Sequence, residues 1–195
     1  RTASTANFFL MDINSDNIFI QAYTSSSQTI RVSFTRKLRD ISSWYHLVLR
    51  VDTTQAQAAN RLRVYINGEN QSPNINDTTF PSLNYDTHIN GTSLEQAIGT
   101  YTGDNGSNEY VFDGYMADII MADGYSYGPE NFGELKEDTD IWTPIKYSGS
   151  FGTNGFYLKG QNSSALGDDS SGNNNDFTTV NLATNDQLSD SPTHN

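Results

Sequence analysis

The chain has 195 residues and no cysteine, so it can hold one sizeable hydrophobic core, while disulfide bonds and thiolate metal sites are excluded. Its formal net charge is -12, although residues 1–66 carry eight Lys or Arg against four Asp or Glu. So acidic a chain argues against general nucleic-acid binding, and no apolar run is long enough for membrane insertion. Two Trp, eleven Tyr and ten Phe in a hydrophilic background predict a folded β protein rather than disorder.

The first part of the chain predicts three consecutive strands. Residues 7–13 are an apolar run, and residues 14–17 (NSDN) have turn chemistry. Asp12, Asn14 and Asp16 imitate the start of an EF-hand loop, but Asn17 stands where that loop needs glycine, so we interpret the segment as a hairpin turn. Alternating apolar residues then predict a second strand over residues 18–23 and a third over residues 30–35.

Residues 43–70 give the clearest strand pattern. Every second residue is apolar in two segments, namely Tyr45, Leu47, Leu49 and Val51, then Leu62, Val64 and Ile66. The polar residues 52–60 between them are too few for a crossover helix, so the two strands should be antiparallel. Asn67 and Gly68 supply the turn that follows.

The remainder is less regular. Residues 69–93 show no period and predict a long structured loop, whereas residues 94–101 and 110–123 predict two strands that flank a tip loop. Helix over residues 115–122 is the competing interpretation, which the flanking glycines disfavour. Residues 129–147 contain the only candidate helix, of one or two turns, and residues 155–159 predict a short strand.

The pattern as a whole predicts an all-β fold. Seven or eight short strands separated by polar turns, with at most one short helix, are typical of an antiparallel β-sandwich or jelly roll. We expect this domain to cover residues 1–159. Residues 160–195 have no core-forming pattern, so we expect an extended tail or a linker to a further module there.

Several phrases occur together in one chain: SSWYHLVLRVDTTQAQAANRLRVYING, IGTYTGDNGSNEYVFDGYMADIIMADG, FGELKEDTDIWTPIKYSGSFGTNGFYL and ALGDDSSGNNNDFT. They resemble the laminin-G-like, concanavalin A-like lectin domains in tail-fibre and other virion-surface proteins of tailed phages, especially marine ones. The first two phrases are common among laminin-G-like sandwiches. The succession FGE, WTP, FGTNGFYL and DSSGNNN is more particular to the phage group.

The resemblance implies a module on the virion surface, outside the cell, with other virion subunits as partners and a homo-oligomeric assembly. Relatives usually carry a Trp-containing strand ahead of the segment equivalent to Phe8, and they continue past the Ser191-Pro192 region into further modules. We therefore expect this chain to be part of a longer virion protein.

A glycan site would combine aromatic side chains on loops, which stack on sugar rings, with amide and carboxylate hydrogen-bonding groups. The tip loop fits this description best, with Tyr101 and Tyr110 on either side of Asp104, Asn105 and Asn108. Tyr125 and Tyr127 are the second choice. The alternative is that these tyrosines only edge the core and that the loop is a solvated turn.

Calcium is a second ligand to consider, because laminin-G-like domains often bind it. The richest group of oxygen-bearing side chains is formed by Asp168, Asp169, Asn173, Asn175 and Asp176. The sequence Asp-Ser-Ser-Gly-Asn is also ordinary turn chemistry, so we treat these residues as weak calcium candidates and predict no obligatory cofactor.

Catalysis has little support in the sequence. Glucanases of the concanavalin-like fold need two carboxylates flanking the glycosidic bond, in a compact Glu-x-Asp-x-x-Glu pattern that is absent here. Other carboxylates, at Glu109, Asp113, Asp118, Glu134, Glu137 and Asp138, lack the required spacing. The three histidines have no metal-ligand spacing, and His46, in phase with Trp44 and Val48, should pack across a strand pair.

Together these patterns predict a non-enzymatic phage module that attaches the virion to host-surface glycans. A structural decoration or spacer domain that binds no glycan is the alternative, and a glycan hydrolase is a third, less favoured one.

Overall fold

The structure, a computed structural model, describes residues 7–89, 91, 94–102, 108–188 and 192. Within these residues the chain is built from antiparallel strands and three single-turn 3-10 helices. The strands are β1 (Phe8–Asn14), β2 (Asn17–Thr24), β3 (Ser27–Lys37), β4 (Leu47–Val51), β5 (Leu62–Ile66), β6 (Glu69–Asn70), β7 (Pro73–Thr79), β8 (Tyr101–Thr102), β9 (Asn108–Glu109), β10 (Ile119–Met121), β11 (Gly133–Leu135), β12 (Trp142–Pro144) and β13 (Phe156–Leu158). The prediction of an all-β fold is confirmed, whereas the sandwich arrangement stays a prediction.

The first three strands form a meander, which the alternation of the sequence correctly predicts. Antiparallel pairing of β1 with β2 and of β2 with β3 places Ile20 beside Val32 and Ala22 beside Ile30. These four side chains are fully buried. Because side chains alternate along a strand, the opposite face of the same meander carries polar residues such as Gln21 and Arg31 together with aromatic ones such as Phe19 and Tyr23. Two-residue turns with positive φ, such as Ser25-Ser26, join the strands.

The three-stranded sheet β4-β5-β6 occupies the segment in which the pattern was clearest. Leu62, Val64 and Ile66 are buried as the alternation predicts. Asn67 and Gly68 both have positive φ and turn the chain into β6, which pairs with the end of β5. In β4 the buried residue is Val48, on the face opposite the one that we predicted.

Strand β7 corrects the prediction of an irregular loop after Gly68. It pairs antiparallel with β3, placing Thr78 beside Val32 and Pro73 beside Phe34. This strand ends the four-stranded sheet β1-β2-β3-β7, so among the strands described only one of its edges is paired. A polar edge strand that begins with Pro has no need of an apolar alternation, which explains why the sequence pattern missed it.

The long strand that we predicted over residues 110–123 is wrong except for its last part. Only Ile119–Met121 is a strand, β10, and it pairs with β13. Asp118, just before it, has a φ of 51°, which does not fit an extended ladder. The side chains of residues 111–116 are exposed. Similarly, the strand predicted over residues 94–101 is reduced to the two residues of β8.

The helix predicted within residues 129–147 is a single 3-10 turn, Pro129–Asn131. It is followed by a hairpin of β11 and β12, in which Gly133 pairs with Pro144. The Trp142 indole lies over Gly133 so closely that a Cβ there would come within 2.6 Å of the ring. This close approach favours glycine at position 133, because a Cβ there would force the indole to move.

Two compact units divide the chain. The first unit comprises residues 1–43 and 49–113, and the second comprises residues 44–48 and 114–195. The boundary that the sequence predicts at residue 160 falls inside the second unit. There the backbone N–H of Phe177 donates to the carbonyl of Gly167, and the Phe177 ring contacts Phe156 edge to face. In the part of the chain described, no helix is long and apolar enough to cross a membrane.

Candidate functional site

Tyr101 and Tyr110 lie close together, as the glycan-site hypothesis requires. Their ring centroids are 6.4 Å apart, and the ring planes meet at 52°. Strands β8 and β9 bring them together, because Tyr101 is paired with Glu109 and Tyr110 follows directly. The two rings therefore form an open angle rather than one flat plate. We call them the tyrosine pair.

The tyrosine pair rests on the β1–β2 hairpin of the first unit. The Phe8 ring meets Tyr101 edge to face at a centroid distance of 6.0 Å. Phe8 in turn stacks on Tyr23, its partner across the hairpin, at 4.9 Å. Contacts of this kind restrict the orientation of an aromatic ring. The hairpin thus supports the Tyr101 ring from one side.

Tyr110 combines high exposure with a strained backbone. Its side chain is 85% exposed, and its φ is 52°. A bulky side chain is rarely found in the left-handed region, where it costs about 1–3 kcal/mol. Val111 and Phe112, which follow, are also exposed, so an apolar surface continues beyond the ring. The fold itself gains little from this arrangement.

The other predicted members of the glycan site are placed only in part. Asn108 lies in β9, paired with Thr102. Asp104 and Asn105 lie outside the described residues. The structure therefore brings the two aromatic members together, while the polar members stay a prediction.

Tyr125 and Tyr127, the second choice for a glycan site, are parts of an aromatic cluster in the second unit. Their rings stack at 5.2 Å and are almost parallel, at 4°. Tyr127 also contacts Phe132 and Tyr147 edge to face, and Phe132 stacks on Tyr147 at 5.0 Å. Burial and the neighbouring Tyr127 hydroxyl raise the pKa of Tyr147 to about 12. Most of this cluster is therefore packing, with Tyr125 as its exposed end.

Asp169, a calcium candidate, accepts hydrogen bonds from the chain itself. Its Oδ1 accepts from the backbone N–H groups of Tyr157 and Ser171, both at 2.8 Å. Its Oδ2 accepts from the Ser171 hydroxyl at 2.7 Å and from the N–H of Asn175 at 3.0 Å. Burial acts to raise the pKa of Asp169, but these donors outweigh it and hold the pKa below its usual value.

The remaining calcium candidates surround this carboxylate without converging on one point. Asp176 accepts the backbone N–H of Asp169, and the side-chain amides of Asn173 and Asn175 both donate to the carbonyl of Gly155 at 2.9 Å. Asp168 is exposed. Among the residues described, no three acidic or histidine side chains are grouped to hold a metal ion. Calcium binding stays a prediction of the sequence.

Two of the carboxylates considered for hydrolysis, Asp118 and Glu134, have structural partners. Asp118 accepts the Tyr157 hydroxyl at 2.6 Å, and burial together with this bond raises the pKa of Tyr157. Glu134, in β11, forms an ion pair with Lys136, the residue directly after that strand. His46 accepts the indole N–H of Trp142 at 3.0 Å through Nδ1, and burial lowers the pKa of His46. His46 therefore has a structural partner, Trp142 of β12.

Sequence reasoning missed a polar cavity on the open face of the β1–β3 meander. Its lining includes Asp12, Asn17, Phe19, Gln21 and Arg31. The sequence pattern assigns Asp12 and Asn17 only to a hairpin turn. A usable signal was present, because Phe19 interrupts an otherwise polar alternation.

Comparison with known proteins adds no family to these observations. No protein-family model matches the chain, and no curated protein or solved structure matches it either. The phage laminin-G-like resemblance therefore stays a prediction carried by the phrases quoted above.

Proposed function

From the sequence resemblance and the exposed tyrosine pair, we propose that this chain is a non-enzymatic carbohydrate-binding module of a phage tail fibre or comparable virion appendage, which attaches the particle to host-surface glycans. The observation that carries the proposal is Tyr110, a largely exposed ring on a strained backbone beside a second tyrosine.

An exposed and strained Tyr110 favours a role in binding over a role in packing. A buried aromatic side chain contributes roughly 1.5–3 kcal/mol of hydrophobic stabilisation, which an exposed ring does not supply. The left-handed φ adds a further cost. Strained residues of this kind cluster at ligand sites, where the surrounding structure holds a side chain ready for its ligand.

The aromatic contacts that hold the Tyr101 ring favour a rigid binding surface for the glycan. The edge-to-face contact with Phe8, and the stack of Phe8 on Tyr23, fix the ring before any ligand arrives. A ring held in place loses little side-chain entropy on binding. An open angle of 52° between the two rings lets a sugar stack on one ring while its edge contacts the other.

A site made of two rings binds weakly by itself. Repetition in a fibre can overcome this weakness, because the copies on one particle act at a high effective concentration once the first has bound. Virion subunits as partners and homo-oligomeric display on the particle surface are parts of the same proposal.

Multivalent glycan retention tests this function. The biotinylated chain is assembled on streptavidin and applied to a glycan array and to host cells. We expect wild type to be retained on at least one glycan class and Tyr110→Ala to lose about tenfold or more in apparent affinity, the range of a binding hot spot. Truncation of an exposed ring should leave the fold intact.

Tyr115→Ala is the matched control, because Tyr115 is also exposed, at 66%, and lies outside the tyrosine pair. It should bind like wild type. Retention on no glycan at high avidity would contradict the function, and equal retention of Tyr110→Ala would contradict the site. Release of reducing ends from host polysaccharide would contradict the non-enzymatic part.

A further inference from the structure

Strand β1 lies at the edge of the four-stranded sheet, with β2 on one side and no described strand on the other. All seven of its residues pair with β2 without a break in register, from Phe8 with Tyr23 to Asn14 with Asn17. An open edge of this kind presents a row of backbone N–H and C=O groups to which another strand can pair. The open side of β1 is therefore long enough to accept one further strand.

The register of the β1–β2 hairpin shows which residues of β1 direct their backbone groups outward. The two-residue turn Ser15-Asp16 makes Asn14 the first hydrogen-bonded position of the strand. Hydrogen-bonded and non-hydrogen-bonded positions alternate along an antiparallel ladder. Counted back from the turn, the backbone N–H and C=O groups of Phe9, Met11 and Ile13 point away from β2.

The same three residues carry apolar side chains on the core face of the sheet. Their partners in β2 are Ala22, Ile20 and Ile18, which are all fully buried. Met11 and Ile13 nevertheless stay 41% and 43% exposed. Full burial of such a side chain would contribute roughly 1.5–3 kcal/mol. The core face is thus uncovered at the same positions at which the backbone groups of β1 are open.

Strand β7, at the opposite edge of the sheet, has the protection that β1 lacks. It begins with Pro73, carries the charged Asp77, and pairs with β3 through an irregular register. Proline, charge and irregular pairing are common means by which an edge strand avoids further pairing. β1 contains no proline and no lysine, and its one charged residue, Asp12, lies on the face opposite the core. Of the two edges, β1 is therefore the one suited to association.

A second copy of β1 satisfies the open edge, because the strand is complementary to itself. Antiparallel pairing about a two-fold axis at Met11 keeps the core faces of both sheets on the same side. It places Met11 opposite Met11 of the second copy and Phe9 opposite Ile13, so about six hydrogen bonds form and the apolar side chains meet. Asp12 comes opposite Leu10 of the second copy, which keeps the two carboxylates from facing each other.

We propose that β1 is a self-association edge, at which two copies of the chain join their four-stranded sheets into one continuous sheet. This inference rests on the homo-oligomeric part of the function proposed above, for which it supplies a surface, and it needs no glycan binding. A standard interface uses roughly 20–30 residues a side, so an edge of seven residues should give a weak dimer. Other contacts that hold copies close together on a particle would strengthen it.

Sedimentation equilibrium of the full chain without glycan, from about 10 μM to about 1 mM, tests the dimer. We expect a reversible monomer–dimer equilibrium. Met11→Lys places two like charges opposite each other and should weaken the dimer at least tenfold. Because Met11 is partly exposed, the lysine can reach water in the monomer, and circular dichroism should show an intact fold. Ile75→Lys, an exposed position on β7, is the matched control and should dimerise like wild type.

Single-cysteine variants test the register, because the chain itself has no cysteine. Met11→Cys should form an intermolecular disulfide under mild oxidation, since directly opposed residues have Cα atoms about 5.5 Å apart, a distance that a disulfide spans. Ile13→Cys is the control, on the same face and similarly exposed. In the proposed pairing its two copies lie roughly 13 Å apart along the strands, so it should cross-link at least tenfold more slowly.

Three results would overturn the proposal: a monomer at every concentration, a dimer that Met11→Lys leaves unchanged, or equal cross-linking of the two cysteine variants. None of them bears on glycan retention, which is measured with copies assembled on streptavidin. Tyr110→Ala should dimerise like wild type, which separates this edge from the tyrosine pair.

Discussion

At the scale of single residues, Asp169 shows how one carboxylate can organise a loop. Four donors reach it from three residues, and they join β13 to the turn of residues 169–175. A hydrogen bond to a charged group contributes about 1.5–3 kcal/mol, and an orphaned donor costs a comparable amount. These hydrogen bonds are those of a turn built around Asp169, while calcium binding stays a prediction.

Replacing Asp169 by Asn should destabilise the chain by about 2–4 kcal/mol at neutral pH. The amide group keeps one acceptor oxygen but places an N–H group against donors that already point at the side chain. Chemical denaturation of wild type and variant measures the difference. Asp168→Asn, an exposed neighbour, is the control and should stay within about 0.5 kcal/mol of wild type.

The same pair of proteins should show a defined pH dependence. The folded state lowers the pKa of Asp169, so its contribution to stability is fully present above the unfolded pKa, about 3.9, and is lost as the pH falls through the folded pKa. The stability gap between wild type and Asp169→Asn should therefore narrow from about pH 4 downwards. A stability difference that stayed constant with pH would show that the charge of Asp169 does not cause it.

At the scale of elements, three two-residue turns set the register of the first unit. Both residues of each turn have positive φ, at Ser15-Asp16, Ser25-Ser26 and Asn67-Gly68. This backbone matches the twist of antiparallel strands and is easiest for Asn-Gly. The third turn has that sequence, and the other two place Ser and Asp in a conformation that suits glycine better.

Ser26→Gly should therefore stabilise the first unit by about 0.5–1 kcal/mol, because φ at Ser26 is 67° and glycine adopts that value without steric cost. Gly68→Ala is the opposite test, and it should destabilise by about 1 kcal/mol or more. Thermal unfolding of the two variants measures both changes in stability, which should have opposite signs. Destabilisation by Ser26→Gly would mean that contacts of the serine outweigh its backbone strain.

The elements that the sequence predicts well share one property, which is burial of one face. In β2, β3 and β5 one face is covered by the rest of the fold, so apolar and polar residues alternate along the sequence with a period of two. β7 pairs through its backbone at a sheet edge, and its side chains need no alternation. The run from Tyr110 to Met116 is apolar but exposed, so composition suggested a core strand that the fold does not make.

Of the two candidate sites, the sequence predicts one and misses the other. The tyrosine pair could be predicted, because two aromatic residues flanking a polar loop are brought together by any hairpin. The cavity beside Asp12 could not, since its residues come from three strands whose register is unknown until the sheet is formed.

At the scale of the whole molecule, the two units are stabilised in different ways. The largest fully buried side chains among the described residues all lie in the first unit; they are Ile18, Ile20, Ile30, Leu62, Ile66, Val32, Val64 and Pro81. In the second unit Tyr147, Phe156 and Leu158 are buried less completely, and aromatic contacts and side-chain hydrogen bonds to the backbone carry more of the packing.

Charge adds to this difference. The second unit carries three Lys or Arg against twelve Asp or Glu, whereas the first carries eight against eleven. A strong excess of one sign destabilises a compact state through self-repulsion, and salt screens that repulsion. Regions with few buried apolar contacts open at lower free energy than the rest of a protein. Both effects make the second unit the less stable one.

Denaturant unfolding followed by two probes should reveal this order. Both tryptophans, Trp44 and Trp142, belong to the second unit, so their fluorescence reports on it, while far-UV circular dichroism reports mainly on the longer strands of the first unit. We expect the fluorescence midpoint at a lower urea concentration than the dichroism midpoint, and a smaller separation at high NaCl concentration. Coincident midpoints at both salt concentrations would indicate one cooperative transition and contradict the assignment of the weaker unit.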